Sequence, residues 1–344
     1  MGTGDGEARR IGSFDGLRAC AFGAVYLCHA IHLPYGFLGV DLFFVLSGFL
    51  ITRNLLALRD RATTASALAA FYYRRVLRIV PPCYLALVVM VLLWPFPLHE
   101  TPWYVGFASN IRDSIYPVLQ GPMDTMWSIA VEEQFYLLWP FFVLLLPRRA
   151  LAPAFWAAVV FASVFRVSVA GNDDAVYRLM FSRMDLLAAG ALLALVDVHD
   201  AQWIGRHRRG FAWALAIAAP AYALCALIVP GFRFGALEQP GRLGAFLPHA
   251  LAAIAMPSLL ALVRTGTLEA VLCVPVLRYV GKVSYTCYLV HYLVILRVHE
   301  LHLPGVVAIA LGLALTIGFA TLSWYVVEQP LARLRGRVRV VPAC

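Results

Sequence analysis

Long apolar segments recur along the whole chain and alternate with short polar segments that are rich in arginine. A helix needs about 20 consecutive apolar residues to cross the hydrocarbon core of a bilayer. The pattern therefore predicts ten spans, at 14–33, 36–56, 80–97, 127–146, 151–170, 184–198, 210–229, 244–263, 283–300 and 304–327. The predicted fold is an all-α, polytopic transmembrane helical bundle with one membrane domain, 14–328, between two tails, 1–13 and 329–344.

Two segments differ in polarity from the spans. The first apolar helix follows a short polar start and has no clear small-residue cleavage site, so we expect it to be retained and not removed as a signal peptide. The segment 66–78 has the amphipathic pattern of a helix that lies at the membrane interface. It precedes Pro81 and Pro82, which we expect to start the third span.

The composition argues against a soluble protein. The chain has 344 residues, of which 62% are hydrophobic and only 14% charged, and a soluble domain of this size cannot bury so much apolar surface. The seven cysteines form neither a CxxC pair nor a cluster with metal-ligand spacing. We therefore expect neither a disulfide framework nor a metal site.

The net charge of +9 is explained by membrane topology. With the N-terminus in the cytoplasm, 20 of the 28 lysines and arginines fall in cytoplasmic segments, seven fall outside, and Arg18 lies within a span. Positive residues are enriched on the cytoplasmic side of membrane proteins. The distribution thus predicts that both termini are cytoplasmic, and it removes the need for a nucleic-acid partner.

The first span carries two ionisable residues, Arg18 and His29, which are costly inside a bilayer and therefore candidates for function. Eleven steps of about 100° place both on one helical face, with a rise of roughly 16 Å between them. A long ligand with a charged inner end could touch both side chains. The alternative is that Arg18 extends to the inner interface while His29 caps the outer end.

Two further groups of polar residues lie on predicted helices. Arg75 and Arg78 share a helical face, and their guanidinium groups suit a phosphate, although an ordinary positive loop that contacts anionic lipid would look the same. Ser128, Glu132 and Tyr136 form a polar stripe. That stripe marks either a site or the dipole-stabilised start of a helix.

The remaining polar residues of the spans favour helix packing. Ser47 and Gly48 are small enough to allow close helix contact. Asp41 is expected either to orient His29 or to lie at the outer interface. For Asp185 and His291 we favour hydrogen bonds between helices.

Several stretches together resemble the acyltransferase-3 family of membrane O-acyltransferases, which acylate surface glycans and some macrolide antibiotics. The resemblance runs from about residue 12 to 335. The stretches, in order, are LR followed by ten residues and H, GVDLFFVLSGFLIT, FYYRRVLRIVPP, WSIAVEEQFYLLWP, RMDLLAAGALLA, VSYTCYLVHY and WYVVEQPLARL.

The resemblance implies an acyl-CoA donor, usually acetyl-CoA, that is taken from the cytoplasm by a multi-pass protein of the bacterial inner membrane. This donor is a substrate, and no permanently bound cofactor is implied. The residues of this chain that match the family motifs are Arg18 and His29, Arg75 and Arg78, and Trp127, Ser128, Glu132 and Glu133. Some members carry a further extracytoplasmic domain of the SGNH hydrolase type. We expect that domain to be absent here, since the sequence stops soon after the last predicted span.

A mechanism follows from this resemblance as a hypothesis. Arg18, Arg75 and Arg78 would bind the donor phosphates, and His29 would act as general base on an acceptor hydroxyl. Glu132, in preference to Glu133, would orient the imidazole. Direct transfer and an acyl-histidine intermediate both fit, and the acceptor is a carbohydrate or a macrolide-type metabolite.

Two other classes of function remain open. Ten spans with charged residues near the midplane also suit a transporter or flippase of a glycolipid or small molecule. The chain shows no internal repeat and no paired broken helices, which such transporters often have. A membrane sensor or scaffold would not need an Arg–His face and ranks last.

Overall fold

The computed structural model describes residues 3–119, 121–229, 232–233, 236–237 and 241–335, and nearly all of these residues are helical. Residues 336–344 of the predicted C-terminal tail lie outside the described residues. A two-stranded antiparallel hairpin, Phe232–Arg233 with Ala236–Leu237, is the β-structure of the described part. The all-α prediction is confirmed.

Ten helices of at least 19 residues form the body of the described protein. They are α1 (Thr3–Ile31), α2 (Leu38–Arg59), α3 (Thr64–Leu93), α6 (Met126–Leu145), α7 (Arg148–Ser168), α9 (Met180–His199), α11 (Arg208–Ile228), α12 (Arg242–Arg264), α14 (Pro275–His299) and α15 (Gly305–Ser323). Shorter helices connect or extend them: α4 (Thr101–Val105), α5 (Ser109–Ile115), α8 (Asp173–Arg178), α10 (Trp203–Arg206), α13 (Glu269–Leu272) and α16 (Gln329–Arg335). Turns of 3₁₀-helix occupy Leu98–Glu100 and Pro122–Thr125, and a π-helical turn occupies Trp324–Glu328.

Each predicted span coincides with one of the ten long helices. Within the described part, seven helices are long and apolar enough to cross a membrane: α2, α3, α6, α7, α9, α12 and α15. For α6, α9 and α15 this length includes the helical turns or short helices that adjoin them. Many of their side chains that face away from the bundle are apolar and exposed, such as Leu92, Val160 and Leu322. Such a surface is expected for helices that contact lipid, and the protein is accordingly described as an integral membrane protein.

The predicted start of the third span at Pro81 and Pro82 is wrong, because α3 runs unbroken from Thr64 to Leu93 through both prolines. The segment 66–78 is therefore the first half of a long helix and not a separate interfacial helix. Proline removes backbone hydrogen bonds from a helix, but neighbouring side chains can satisfy backbone groups near such a site. Here the hydroxyl of Tyr285 on α14 donates to the carbonyl oxygen of Ile79 at 3.1 Å.

Glycines allow two pairs of helices to approach closely. A Cβ atom on Gly48 would lie 1.9 Å from the carbonyl oxygen of Leu187, and one on Gly190 would lie 2.1 Å from that of Val45, so α2 and α9 meet backbone to backbone. The packing predicted for Gly48 is confirmed. In the same way, a Cβ on Gly281 of α14 would lie 1.7 Å from a backbone carbonyl oxygen of α1.

Two of the ion pairs buried between helices involve residues singled out in the sequence. Asp185 of α9 lies 2.7 Å from Arg166 of α7, which confirms the predicted contact between helices. Asp41 of α2 is 1% exposed and lies 3.4 Å from Arg183 of α9. Asp41 therefore neither orients His29 nor lies at an interface, because the buried guanidinium of Arg183 is its partner.

Candidate active site

A cavity that is partly open to solvent lies between α1, α2, α3, α6 and α14, and its non-atom space, open solvent included, is about 870 Å³. Its apolar walls come mainly from α2. Its polar lining consists of Arg18, Ser47, Arg75, Arg78, Ser128, Glu132, Tyr136, Lys282, Ser284, Tyr285 and Tyr288.

Four cations line this cavity. The arginines Arg18, Arg75 and Arg78, predicted to bind one ligand, are brought together from α1 and α3, and α14 adds Lys282. Sequence reasoning missed Lys282 because it was counted as a topological charge near the start of a span. Arg78 and Lys282 are exposed, whereas Arg75 is partly buried, so positive charge extends from the cavity mouth into its interior.

The guanidinium of Arg75 is held by aromatic rings. It lies 5.3 Å from the ring centroid of Tyr136 and 5.6 Å from that of Phe71. Cation–π contacts at such distances fix the direction of a guanidinium and leave its N–H groups free to donate. Arg18 is held differently, by an ion pair with Asp15 at 3.2 Å.

The carboxylate of Glu132 faces the cavity and accepts two hydrogen bonds. Ser47 donates to it at 2.7 Å and Tyr136 at 2.9 Å. The polar stripe predicted for α6 does face one site, since its members Ser128, Glu132 and Tyr136 all line the cavity. The predicted contact of Glu132 with His29 is not formed, because the carboxylate points toward α2 and the cations.

Glu133 lies outside the cavity lining. It is about 100° around α6 from Glu132, on the side of Cys83 and Tyr84 of α3. One of its carboxylate oxygens is buried without a hydrogen-bond partner among the described residues. Glu133 acts electrostatically on Arg75 and has no contact with His29.

His29 lies beyond the end of the cavity and is absent from its lining. Its imidazole packs against Tyr292 and His291, with ring centroids 4.6 and 5.2 Å away. Ser128 and Tyr288 line the cavity with their hydroxyl oxygens 2.6 Å apart, and the ring of Tyr288 also lies 5.4 Å from that of His291. The predicted alignment of Arg18 with His29 therefore gives a cation in the cavity lining and an imidazole outside it.

His291 is fully buried and lies next to His29. Its Nδ1 atom is 2.6 Å from the carbonyl oxygen of Tyr288, three residues earlier on the same helix. This bond lies within α14, so the predicted hydrogen bond of His291 to another helix is not formed at Nδ1. Its Nε2 atom has no hydrogen-bond partner among the described residues.

Helices α1 and α14 run in the same direction, and each carries one of the cavity cations and one of the two histidines. The start of α1 contacts α14 at Gly281, and the end of α1 contacts it at His291. Both helices therefore bring a cation to the cavity, Arg18 and Lys282, and a histidine to the far side of Tyr288.

The chain matches one protein-family model over nearly its full length. The model describes the acyltransferase domain of the acyltransferase-3 family, and it covers residues 11–327. No solved structure matches the chain.

Three named proteins are also similar in sequence to this chain. The chain is 29% identical to the peptidoglycan O-acetyltransferase OatA of Listeria monocytogenes over 93% of this chain and 56% of the relative. It is 30% identical to YrhL of Bacillus subtilis, provisionally named a peptidoglycan O-acetyltransferase, over 94% of this chain and 55% of the relative. A provisionally named O-acetyltransferase of Staphylococcus aureus is 27% identical over 95% of this chain and 58% of its own length.

The chain thus spans little more than half the length of the curated relatives that it matches. The match of the family model confirms the resemblance seen in the sequence motifs, and the names of the relatives support an acyltransferase that transfers groups other than aminoacyl groups. The protein belongs to the acyltransferase-3 family.

Proposed function

We propose that this protein is an O-acyltransferase of the bacterial cytoplasmic membrane. It transfers an acyl group, in our proposal acetyl, from acyl-CoA to a hydroxyl of a carbohydrate or glycosylated acceptor. The observation that carries the proposal is the cavity that four cations from three helices line together. The names of two relatives make peptidoglycan the first carbohydrate to test. A macrolide-type metabolite is the other acceptor class.

The cations suit the phosphates of CoA. A guanidinium can bind two phosphate oxygens at once, and Arg75 is already directed by its aromatic contacts. Arg78 and Lys282 at the mouth would meet the phosphates first, and Arg18 and Arg75 would hold them further in. Ser47 and Tyr136 occupy the oxygens of Glu132, which limits its repulsion of a bound anion.

In the proposed topology all ten long helices cross the membrane, and both termini are cytoplasmic. The cations then lie toward the cytoplasm, because Arg75 and Lys282 belong to the first halves of helices that start on that side. Acyl-CoA would enter from the same side. Single cysteines introduced into the loops of a cysteine-free variant test this orientation: in intact cells, a membrane-impermeant maleimide should label a cysteine at position 171 and not one at the exposed position 61.

In the proposed reaction His29 is the general base. It takes the proton of the acceptor hydroxyl, whose oxygen attacks the thioester carbonyl carbon. The carbon–sulfur bond then breaks, and the imidazolium returns its proton to the leaving CoA sulfur. An acyl-histidine formed first would give the same balance in two steps. In either case the hydrogen bond between Ser128 and Tyr288 has to open so that the thioester can reach His29.

The two glutamates have supporting roles in this proposal. Glu132 would hold the hydroxyl groups of the cavity wall in place and balance Arg75, not orient His29. Glu133 would act only through its electrostatic effect on Arg75.

Purified protein supplied with acetyl-CoA and solubilised peptidoglycan fragments tests the function. We expect release of free CoA together with a gain of one acetyl mass on the glycan. His29→Ala should abolish both signals while acetyl-CoA still binds, and His99→Ala, whose side chain is 81% exposed, should change neither. A wild-type protein that acetylates neither a glycan nor a macrolide, and that moves a lipid-linked glycan across liposomes without releasing CoA, would favour the flippase class instead.

A further inference from the structure

The two ring nitrogens of His291 differ, because one is hydrogen-bonded and the other is buried without a partner among the described residues. Because Nδ1 lies 2.6 Å from a carbonyl oxygen, which only accepts, Nδ1 carries a proton and donates. A neutral imidazole then has a lone pair on Nε2. That nitrogen is buried with no partner among the described residues. A buried polar atom without a partner costs about 1–3 kcal/mol, so an acceptor held in this state calls for a donor nearby.

Among the rings around His291 with a donor not already bonded, His29 is the nearer at 5.2 Å, and Tyr292 lies at 6.5 Å. Phe22 meets the His291 ring edge-on at 5.9 Å and has no polar hydrogen. Tyr288 is at 5.4 Å, but its hydroxyl is already bonded to Ser128. The His29 ring is at 5.2 Å and carries an N–H in each neutral tautomer. At this separation a small ring rotation or one bridging water connects the two imidazoles.

We propose that His291 is a positioning residue for His29. Its Nε2 accepts a hydrogen bond from one N–H of His29, directly or through one water, and so fixes the tautomer and the ring plane of His29. The other ring nitrogen of His29 is then the basic one and faces the acceptor hydroxyl. The catalytic meaning of this pair rests on the function proposed above.

The pair would perform the task that a carboxylate performs in other general-base sites. Such a partner orients the imidazole and stabilises the imidazolium that forms when the base takes a proton. Asp124 and His32 act on His29 electrostatically, and the described residues supply no carboxylate hydrogen-bonded to it. Nε2 of His291 would keep accepting the N–H that His29 already carries when the other ring nitrogen takes up a proton, and it would add no charge to a buried position.

Kinetics of His291 variants test this role. His291→Phe keeps a ring of similar size but removes the acceptor, and we expect kcat to fall about 10- to 100-fold while the KM for acetyl-CoA changes less than about twofold. His291→Gln supplies an amide oxygen near the position of Nε2, so it should recover a substantial part of kcat. His299→Phe on the same helix is exposed and serves as the matched control with unchanged kcat. Wild-type kcat in His291→Phe would overturn the proposal.

A second readout is independent of acyl transfer. Diethyl pyrocarbonate modifies the basic nitrogen of a neutral imidazole, and mass spectrometry of the His29 peptide gives the rate. We expect this rate to fall several-fold in His291→Phe, to recover in His291→Gln and to stay unchanged in His299→Phe. If the rate follows this order in a protein that transfers no acyl group, the proposed function fails and the pairing stands. An unchanged rate in a folded His291→Phe protein, or in His291→Leu if the first variant does not fold, rejects the pairing whatever the activity.

Discussion

Removing Arg75 should weaken donor binding strongly, because this guanidinium is both inside the cavity and directed by its neighbours. Tyr136 and Phe71 hold it at 5.3 and 5.6 Å, so little side-chain freedom remains to be lost when a phosphate binds. Glu132 and Glu133 both act on Arg75 electrostatically. In Arg75→Ala these carboxylates would face the phosphates with one cation fewer between them.

The magnitude follows from the type of contact. A hydrogen bond to a charged group contributes about 1.5–3 kcal/mol, which corresponds to about a 10- to 150-fold rise in the KM for acetyl-CoA. Repulsion by the two carboxylates should move the effect toward the upper part of that range. Arg75→Lys keeps the charge but loses the two-pronged geometry, so we expect a smaller rise, on the order of tenfold.

The neighbouring residue Arg74 provides the matched control. It belongs to the same helix and has the same side chain, but it lies about 100° away and does not line the cavity. The KM for acetyl-CoA, measured from the release of the CoA thiol, should therefore be unchanged in Arg74→Ala. Salt gives an independent check, since a higher salt concentration should reduce the effect of Arg78→Ala, which removes an exposed charge, more than that of Arg75→Ala.

Two results would refute this reasoning about the donor site. One is a KM in Arg75→Ala within twofold of the wild type. The other is an equal rise in Arg74→Ala, which would mean that the general charge of the membrane surface, and not the cavity, attracts the donor.

Three further predictions concern the barrier, the packing and the outer loops. Tyr288→Phe loses its hydrogen bond across the barrier, so acetyl-CoA hydrolysis without acceptor should rise while donor KM stays the same; unchanged hydrolysis would mean that Tyr288 is no barrier. Gly190→Val places side-chain atoms against a carbonyl oxygen 2.1 Å from the Cβ position, so the thermal midpoint in detergent should fall by several degrees, whereas Gly210→Val, with open space around it, should leave it unchanged. Hydrogen bonds from Arg112 hold the pKa of Glu100 below its ordinary value. These bonds therefore stabilise the folded protein above the ordinary glutamate pKa of about 4.3, and this stabilisation is lost as the pH falls below that value. The difference in thermal midpoint between wild type and Glu100→Gln should accordingly shrink in acid, and a constant difference would contradict the ion-pair account.

The long helices could be located from the sequence because long apolar segments are easy to recognise. Each predicted span overlaps one of the ten long helices, seven of which are long and apolar enough to cross a membrane, but hydropathy misplaced the start of α3 at Pro81 and Pro82. Prolines usually mark the start or the end of a helix, and no local pattern revealed that α3 continues through both of them.

The candidate site was predicted in part. Residues on one helical face, such as Ser128 with Glu132 and Tyr136, could be grouped correctly because helical periodicity determines that face. The partner of Glu132 could not be predicted, since it depends on how α2 and α6 pack. The same limit applies to Asp41, whose partner Arg183 lies far along the chain.

Helical periodicity showed that the cation and the histidine of α1 share a face, but it did not reveal the corresponding residues of α14. On α1 the cation and the histidine, Arg18 and His29, share a face and lie roughly 16 Å apart. On α14 the nine steps from Lys282 to His291 span about 14 Å and turn through about half a circle, so these two residues do not look aligned in sequence.

The packing of the two helices nevertheless brings Lys282 into the cavity lining and His291 next to His29. In the proposed reaction, a donor bound by cations from both helices would present its thioester to a histidine pair that also comes from both. The two histidines are separated by more than 250 residues of chain, and the close approach of the helices at Gly281 helps to bring them together.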